Sequence, residues 1–185
     1  MARDRITGRV SGVLLLRRAA FEQVRDDARA TAPALLIVAA VAVAHGAADS
    51  FRAEFVETEF EANPNTAWLF GLPSEIAFWI VASSVVFFVG RIVGGTGSYP
   101  EVVRAMGFAS APGILIAVAA VASSLAPTPV VLVPIVVWRL AAYFLAVRYA
   151  LRLGRWRALI TLLISVGAGL AVVVVLTGLL NTAIP

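Results

Sequence analysis

The sequence predicts an all-α fold: a polytopic membrane helix bundle of five transmembrane helices, N-terminus inside and C-terminus outside, with amphipathic interfacial helices. Three observations support this. Of the 185 residues, 61% are apolar and 14% charged, too little polar surface for a soluble domain of this length. The apolar residues gather into charge-poor runs, each near the length that crosses a hydrocarbon core of about 30 Å. The acids concentrate in one intervening segment and the arginines in the others, which is the asymmetry of the positive-inside rule.

Residues 1–30 form the N-terminal cytoplasmic region, and 31–185 the membrane domain. The first thirty residues hold seven Arg against four acids and no run able to span. Ala20, Phe21, Val24 and Ala28 share one helical face, and Arg18, Glu22, Arg25, Asp26 and Arg29 the other, which reads as a membrane-surface helix, with a solvated helix as the alternative. The first span covers about 31–48, with Pro33 in its first turn. A cleavable signal peptide competes for this run, but the polar lead before it is too long. From Asp49 to Ser74 the chain reads as an outer loop, with Asp49, Glu54, Glu57, Glu59 and Glu61 against Arg52 alone. These acids lack the oxygen spacing and turn glycine of a calcium loop and read as a solvated face. Asn63-Pro64-Asn65 marks a turn there, and Trp68 and Phe70 approach the interface.

The second span, about 76–93, ends at Arg91 and meets GGTGSYPEVVRAMGFASAP, residues 94–112. Gly94-Gly95-Thr96-Gly97 has no preceding strand and no following Lys, so it reads as a flexible linker and not a phosphate cradle. Ser98, Pro100 and Glu101 spell a helix start with an S-x-x-E capping box. Tyr99, Val102, Val103 and Met106 then share a face while Glu101 and Arg104 point elsewhere, which predicts a short amphipathic helix lying along an interface. Ala111-Pro112-Gly113 breaks it. The third span covers about 107–125, and Ala126-Pro127-Thr128-Pro129 turns the chain into a fourth, about 130–147. Arg148, Arg152, Arg155 and Arg157 follow without an acidic partner, and the last span covers about 159–180. Placing the N-terminal region, the Gly94 loop and the Arg148 loop inside puts nearly every Arg in the cytoplasm of a multi-pass cell-membrane protein.

Few residues suggest chemistry. Cysteine is absent and His45 is the only histidine, which excludes disulfides, thiol chemistry and multi-histidine metal sites. No catalytic residue, cofactor or metal is expected, and no nucleic-acid partner. Arg139, near the middle of the fourth span, is the main candidate functional residue, because an ionised side chain there costs several kcal/mol unless paired or hydrated. It either holds helices together or lines a polar path. His45 and Asp49, one turn apart near the outer end of the first span, form a candidate proton-sensitive pair, with a water-exposed interfacial cap as the alternative. Gly167, Gly169, Ala171 and Gly178 read as a close-packing face.

Gly94 to Tyr99, Gly107 to Pro112, and Trp138 with the Arg148 to Trp156 region occur in an order and spacing that resemble the Yip family, five-span membrane proteins, in a prokaryotic form. The resemblance implies a small membrane-embedded organiser or adaptor. The family's eukaryotic relatives carry a long cytosolic extension, which thirty residues do not supply, so a Rab-type GTPase is not an expected partner. The expected partners are the bilayer itself, anionic lipid headgroups, and a second copy or other membrane proteins. The candidate inner-face contacts are Gly94, Gly95, Gly97, Tyr99, Glu101, Arg104, Arg148, Arg152, Arg155 and Arg157. A small transporter or channel with Arg139 in its polar path is the alternative, and an enzyme the weakest reading.

Overall fold

A computed structural model describes residues 2–55, 64–122 and 128–183. The helices in chain order are α1 (Ala2–Leu14), α2 (Arg18–Asp26), α3 (Thr31–Phe55), α4 (Pro64–Ile92), α5 (Tyr99–Ala109), α6 (Ile116–Ala122), α7 (Thr128–Ala150) and α8 (Arg155–Ala183), with 3-10 turns at Ala28–Ala30 and Ala111–Leu115. Among the described residues there is no strand. Among the described residues, four stretches are long and apolar enough to cross a membrane: Ala28–Ala48, Glu75–Ile92, Tyr99–Ala122 and Pro129–Ala150. The expected run 159–180 falls on α8, where most of the later side chains lie outside the described residues.

Within the membrane domain the structure departs from the sequence reading in three places. The first concerns the acidic loop. Helix occupies both its ends, since α3 continues to Phe55 and α4 begins at Pro64. Pro64 opens a helix instead of marking a turn, because at the first helical position its missing N–H costs nothing. Glu57, Glu59, Glu61 and Asn63 lie outside the described residues, as do the side chains of Asp49, Arg52, Glu54, Trp68 and Phe70 and the turn residues Ala126 and Pro127.

The second correction concerns α5, which is no interfacial helix. It starts where the capping box predicts, with the Ser98 N–H donating to Glu101 Oε2 at 2.6 Å. Every residue from Val102 to Ala109 is nevertheless buried, enclosed by α2, α3, α4 and α7. Small residues permit this. A methyl on Gly107 would lie 2.8 Å from the Ala34 β-carbon, so α3 and α5 pack at a separation only glycine allows. The two charges of α5 do not define a wet face, because other elements bond to them, although Arg104 Nε is buried without a partner among the described residues. Glu101 accepts from Arg152 Nη2 at 2.9 Å and Nη1 at 3.2 Å, and Arg104 Nη2 donates to the Arg25 carbonyl at 2.6 Å.

The third correction concerns the glycine run, which is not a free linker. The Thr96 N–H donates to the Leu151 carbonyl at 3.0 Å, and Gly95 and Gly97 are buried against the end of α7. A β-carbon on Gly97 would collide with the Ala150 carbonyl oxygen. Gly94, at φ +91°, closes a Schellman cap on α4, with the Gly95 N–H bonded to the Gly90 carbonyl at 2.8 Å. Arg152 fills the equivalent left-handed position after α7, at φ 55°, with the Leu153 N–H on the Arg148 carbonyl at 2.9 Å. This conformation is unfavourable for a side chain with a β-carbon, and the bidentate bond to Glu101 stabilises it.

Ahead of the bundle, α1 and α2 form a hairpin. Its closing turn puts Leu16 in the left-handed region, and Gly12 lets Ala20 approach. α2 is amphipathic as expected, but protein covers its apolar face instead of lipid, and Ala28, expected on that face, is exposed in the 3-10 turn after it. Ala20, Phe21 and Val24 are buried, Phe21 stacks on Tyr149 at 6.2 Å, and Trp138 Nε1 donates to the Leu14 carbonyl at 2.9 Å. Asp27 ties the hairpin to α3 by accepting from the Arg29 N–H at 2.9 Å and pairing with Arg9 at 2.8 Å.

Gly97→Ala is expected to lower stability by about 1–3 kcal/mol through overpacking. Gly8→Ala, with nothing within 4 Å of the added carbon, should be neutral or stabilising by about 0.5–1 kcal/mol; thermal unfolding in detergent compares the two. The Arg9 guanidinium, aided by the Arg29 N–H, holds the Asp27 carboxyl below the usual carboxylate range. Its contribution is therefore complete above the ordinary value of about 3.9 and lost as pH falls through the lowered folded value. Protection of the α1 amides, taken relative to the intrinsic exchange rate at each pH, should fall over that acid window, and in Asp27→Asn it should already be modestly lower at neutral pH.

Candidate functional site

Arg139 lies near the middle of the Pro129–Ala150 stretch, and three helices supply its surroundings. From α4, Glu75 Oε1 accepts from Arg139 Nη2 at 3.1 Å. One turn on along α7, the Tyr143 hydroxyl accepts from Arg139 Nε at 3.2 Å, and its ring lies 5.5 Å from the guanidinium carbon. From α3, His45 Nδ1 stands 3.4 Å from Glu75 Oε2. The Glu75 and Arg139 side chains are only 16% and 21% exposed, so the pair sits where an uncompensated charge would cost far more than a paired one, and where even the pair carries a desolvation penalty. The break at Ala111–Leu115 passes close by, since a methyl on Gly113 would sit 3.4 Å from the Arg139 guanidinium.

The sequence singles out Arg139 and His45 but not Glu75. The structure joins all three and gives His45 a partner on another helix, while the Asp49 side chain lies outside the described residues. The missing signal was a need for charge balance. A lone arginine inside a span requires a counter-ion, and Glu75 stands one residue before the expected start of the second span, where it was read as neither loop nor membrane.

A second set gathers where α4 and α7 end and α5 and α8 begin. It includes the remaining candidates but separates them into inner and outer ones. Arg104 is 7% exposed, and Gly95 and Gly97 are buried, so these three are packed within the fold. The Tyr99 and Ser84 hydroxyls share a hydrogen bond of 3.1 Å, and Glu101 is occupied by Arg152. Gly94, Arg152, Arg155 and Arg157 are exposed, and Arg148 is half-buried with its guanidinium 5.2 Å from the Tyr149 ring centroid. Among the described residues, no carboxylate pairs with Arg91, Arg148, Arg155 or Arg157, and no group of three metal-ligating side chains converges.

A family model described as the Yip1 domain matches residues 11–176. Comparison with curated proteins and with solved structures gives no match.

Arg139→Leu leaves Glu75 without its guanidinium and is expected to cost about 3–5 kcal/mol, as is Glu75→Leu. The double variant should recover most of that loss, because two apolar side chains replace a pair that burial penalises. A double-mutant cycle on thermal unfolding in detergent measures the coupling.

Proposed function

Because the chain belongs to the Yip1-domain family of membrane proteins, we propose that it is a non-enzymatic organiser or adaptor, a helix bundle that holds lipid and protein partners at its arginine-rich end. The observation that carries this reading is the division of its charges. The membrane-embedded charges Glu75 and Arg139 satisfy one another, whereas Arg91, Arg148, Arg155 and Arg157 meet no carboxylate among the described residues. Polar groups inside the bundle hold helices together, and those outside it keep charge available for binding, although Arg91 also donates to the Gly95 carbonyl at 3.2 Å. Each such arginine contributes about 1 kcal/mol of attraction to an anionic membrane surface.

The reading takes α3, α4, α5 with α6, α7 and α8 as five spans of a cell-membrane protein, N-terminus inside. The 29-residue length of α8 and the cations at one end support it. Small-residue surfaces make a second copy or another membrane protein the natural lateral partner.

A second reading, a small transporter or channel, draws on the interrupted helix beside Arg139, since broken helices at an intramembrane charge are a feature of transport sites. Liposomes of neutral and of anionic lipid, containing wild type or Arg139→Leu, separate the two. The organiser reading expects no proton or small-ion flux above empty vesicles from either protein. Flux that disappears in a folded Arg139→Leu variant replaces it with the transport reading.

A further inference from the structure

We infer that the arginine-rich end of the α7–α8 pair seats one anionic phospholipid. The inference deepens the lipid contact proposed above and rests on that reading. A groove of about 350 Å³ is lined by Phe144 of α7 and by Arg155, Trp156 and Leu159 of α8. Phe144 and Leu159 provide an apolar floor. Trp156 is 78% exposed, an amphipathic ring standing where aromatic side chains meet headgroups. The two helices run in opposite directions, so one turn from the floor toward the same end leads from Phe144 to Arg148 and from Leu159 to Arg155.

The mouth of this groove carries positive charge from three sources. Arg155 lines it without a carboxylate partner among the described residues, and Arg148 stands one turn beyond Phe144. The backbone adds the third. α8 has no acidic residue in its first turn, and Gly154 before it has no side chain to cap the free N–H groups. Cations at a helix N-terminus are unfavourable, and an anion held there relieves both the arginine and the helix end.

The floor identifies the anion as part of a lipid. A free phosphate would neutralise the mouth and leave Phe144 and Leu159 uncovered, whereas a phospholipid covers them with its acyl chain. The track continues along α8 through the exposed Ile160 and Leu163, in the direction an acyl chain must run. The neighbouring arginines are placed differently. Arg152 is bonded to Glu101, and Arg157 turns away beside Gly94, where a methyl would lie 3.4 Å from its Nη1.

Arg157 therefore provides the control. The full chain is purified in neutral detergent, and native mass spectrometry titrates phosphatidylglycerol and phosphatidylcholine against wild type, Arg155→Gln, Arg157→Gln and Trp156→Ala, each checked for wild-type thermal unfolding. One phosphatidylglycerol should bind about fivefold or more tightly than phosphatidylcholine. Arg155→Gln should abolish the preference, Arg157→Gln should keep it despite the same change in net charge, and Trp156→Ala should weaken both lipids. Glycerol 3-phosphate should not displace the bound lipid. Equal losses in the two arginine variants reduce the effect to diffuse electrostatics and overturn the seat, as does displacement by glycerol 3-phosphate. A seat that persists in a protein found to conduct ions stands by itself and removes the organiser reading.

Discussion

The close approach of two backbones, Thr96 to Leu151 and Gly97 to Ala150, is the constraint on which the rest of this structure depends. One hydrogen bond of 3.0 Å and the absence of a side chain at residue 97 bring the α4–α5 connection against the α7–α8 connection. Glu101 then comes within reach of Arg152, which supports the left-handed backbone at Arg152 that ends α7 and sets the start of α8. The same contact turns α5 inward, so a segment with a charged residue at two of its eleven positions is enclosed by four other helices. In a hydrocarbon surrounding, backbone and side-chain polar groups must find partners inside the protein, and this seam is where one end of the bundle satisfies them.

Charge is distributed accordingly. Within the bundle, Glu75 serves Arg139 and His45 together, joining three helices through one carboxylate. At the arginine-rich end, the acids on α2 and α5 are already engaged, Asp26 by Arg25 and Glu101 by Arg152, and among the described residues Arg148, Arg155 and Arg157 meet no carboxylate. A protein whose Glu75–Arg139 pair is neutralised and whose rim is cationic is suited to binding at its rim.

Much of the fold could be read from hydropathy, since length and apolarity of a run report directly on its ability to span. The start of α5 was legible for a local reason: Ser98, Pro100 and Glu101 lie within four residues and act on one another. The burial of α5 was not, because the periodicity of Tyr99, Val102, Val103 and Met106 describes one face, and only tertiary packing shows that Ala105, Gly107 and Ala109 let a second helix close over the other. The glycine run misled for a related reason. Conformational freedom and close approach both call for glycine, and the partner that distinguishes them, Ala150, is remote in sequence. Arg139 stood out by itself. Its counter-ion did not, since the pairing of Glu75 with Arg139 is a property of three-dimensional proximity alone.

The enclosure of α5 by helices from both sides of the chain also bears on how the protein is made. α2, α3 and α4 leave the ribosome before it, but α7 follows only after α6 and residues 123–127. Throughout that interval Glu101 has no Arg152, and the Leu151 carbonyl that receives the Thr96 N–H does not yet exist. A nascent chain stalled at this stage holds a half-covered helix with an unpaired carboxylate at the edge of the membrane, the kind of exposed intermediate that chaperones and proteases recognise. Completion of the α7–α8 connection is therefore the event that gives Glu101 and the Thr96 N–H their last partners.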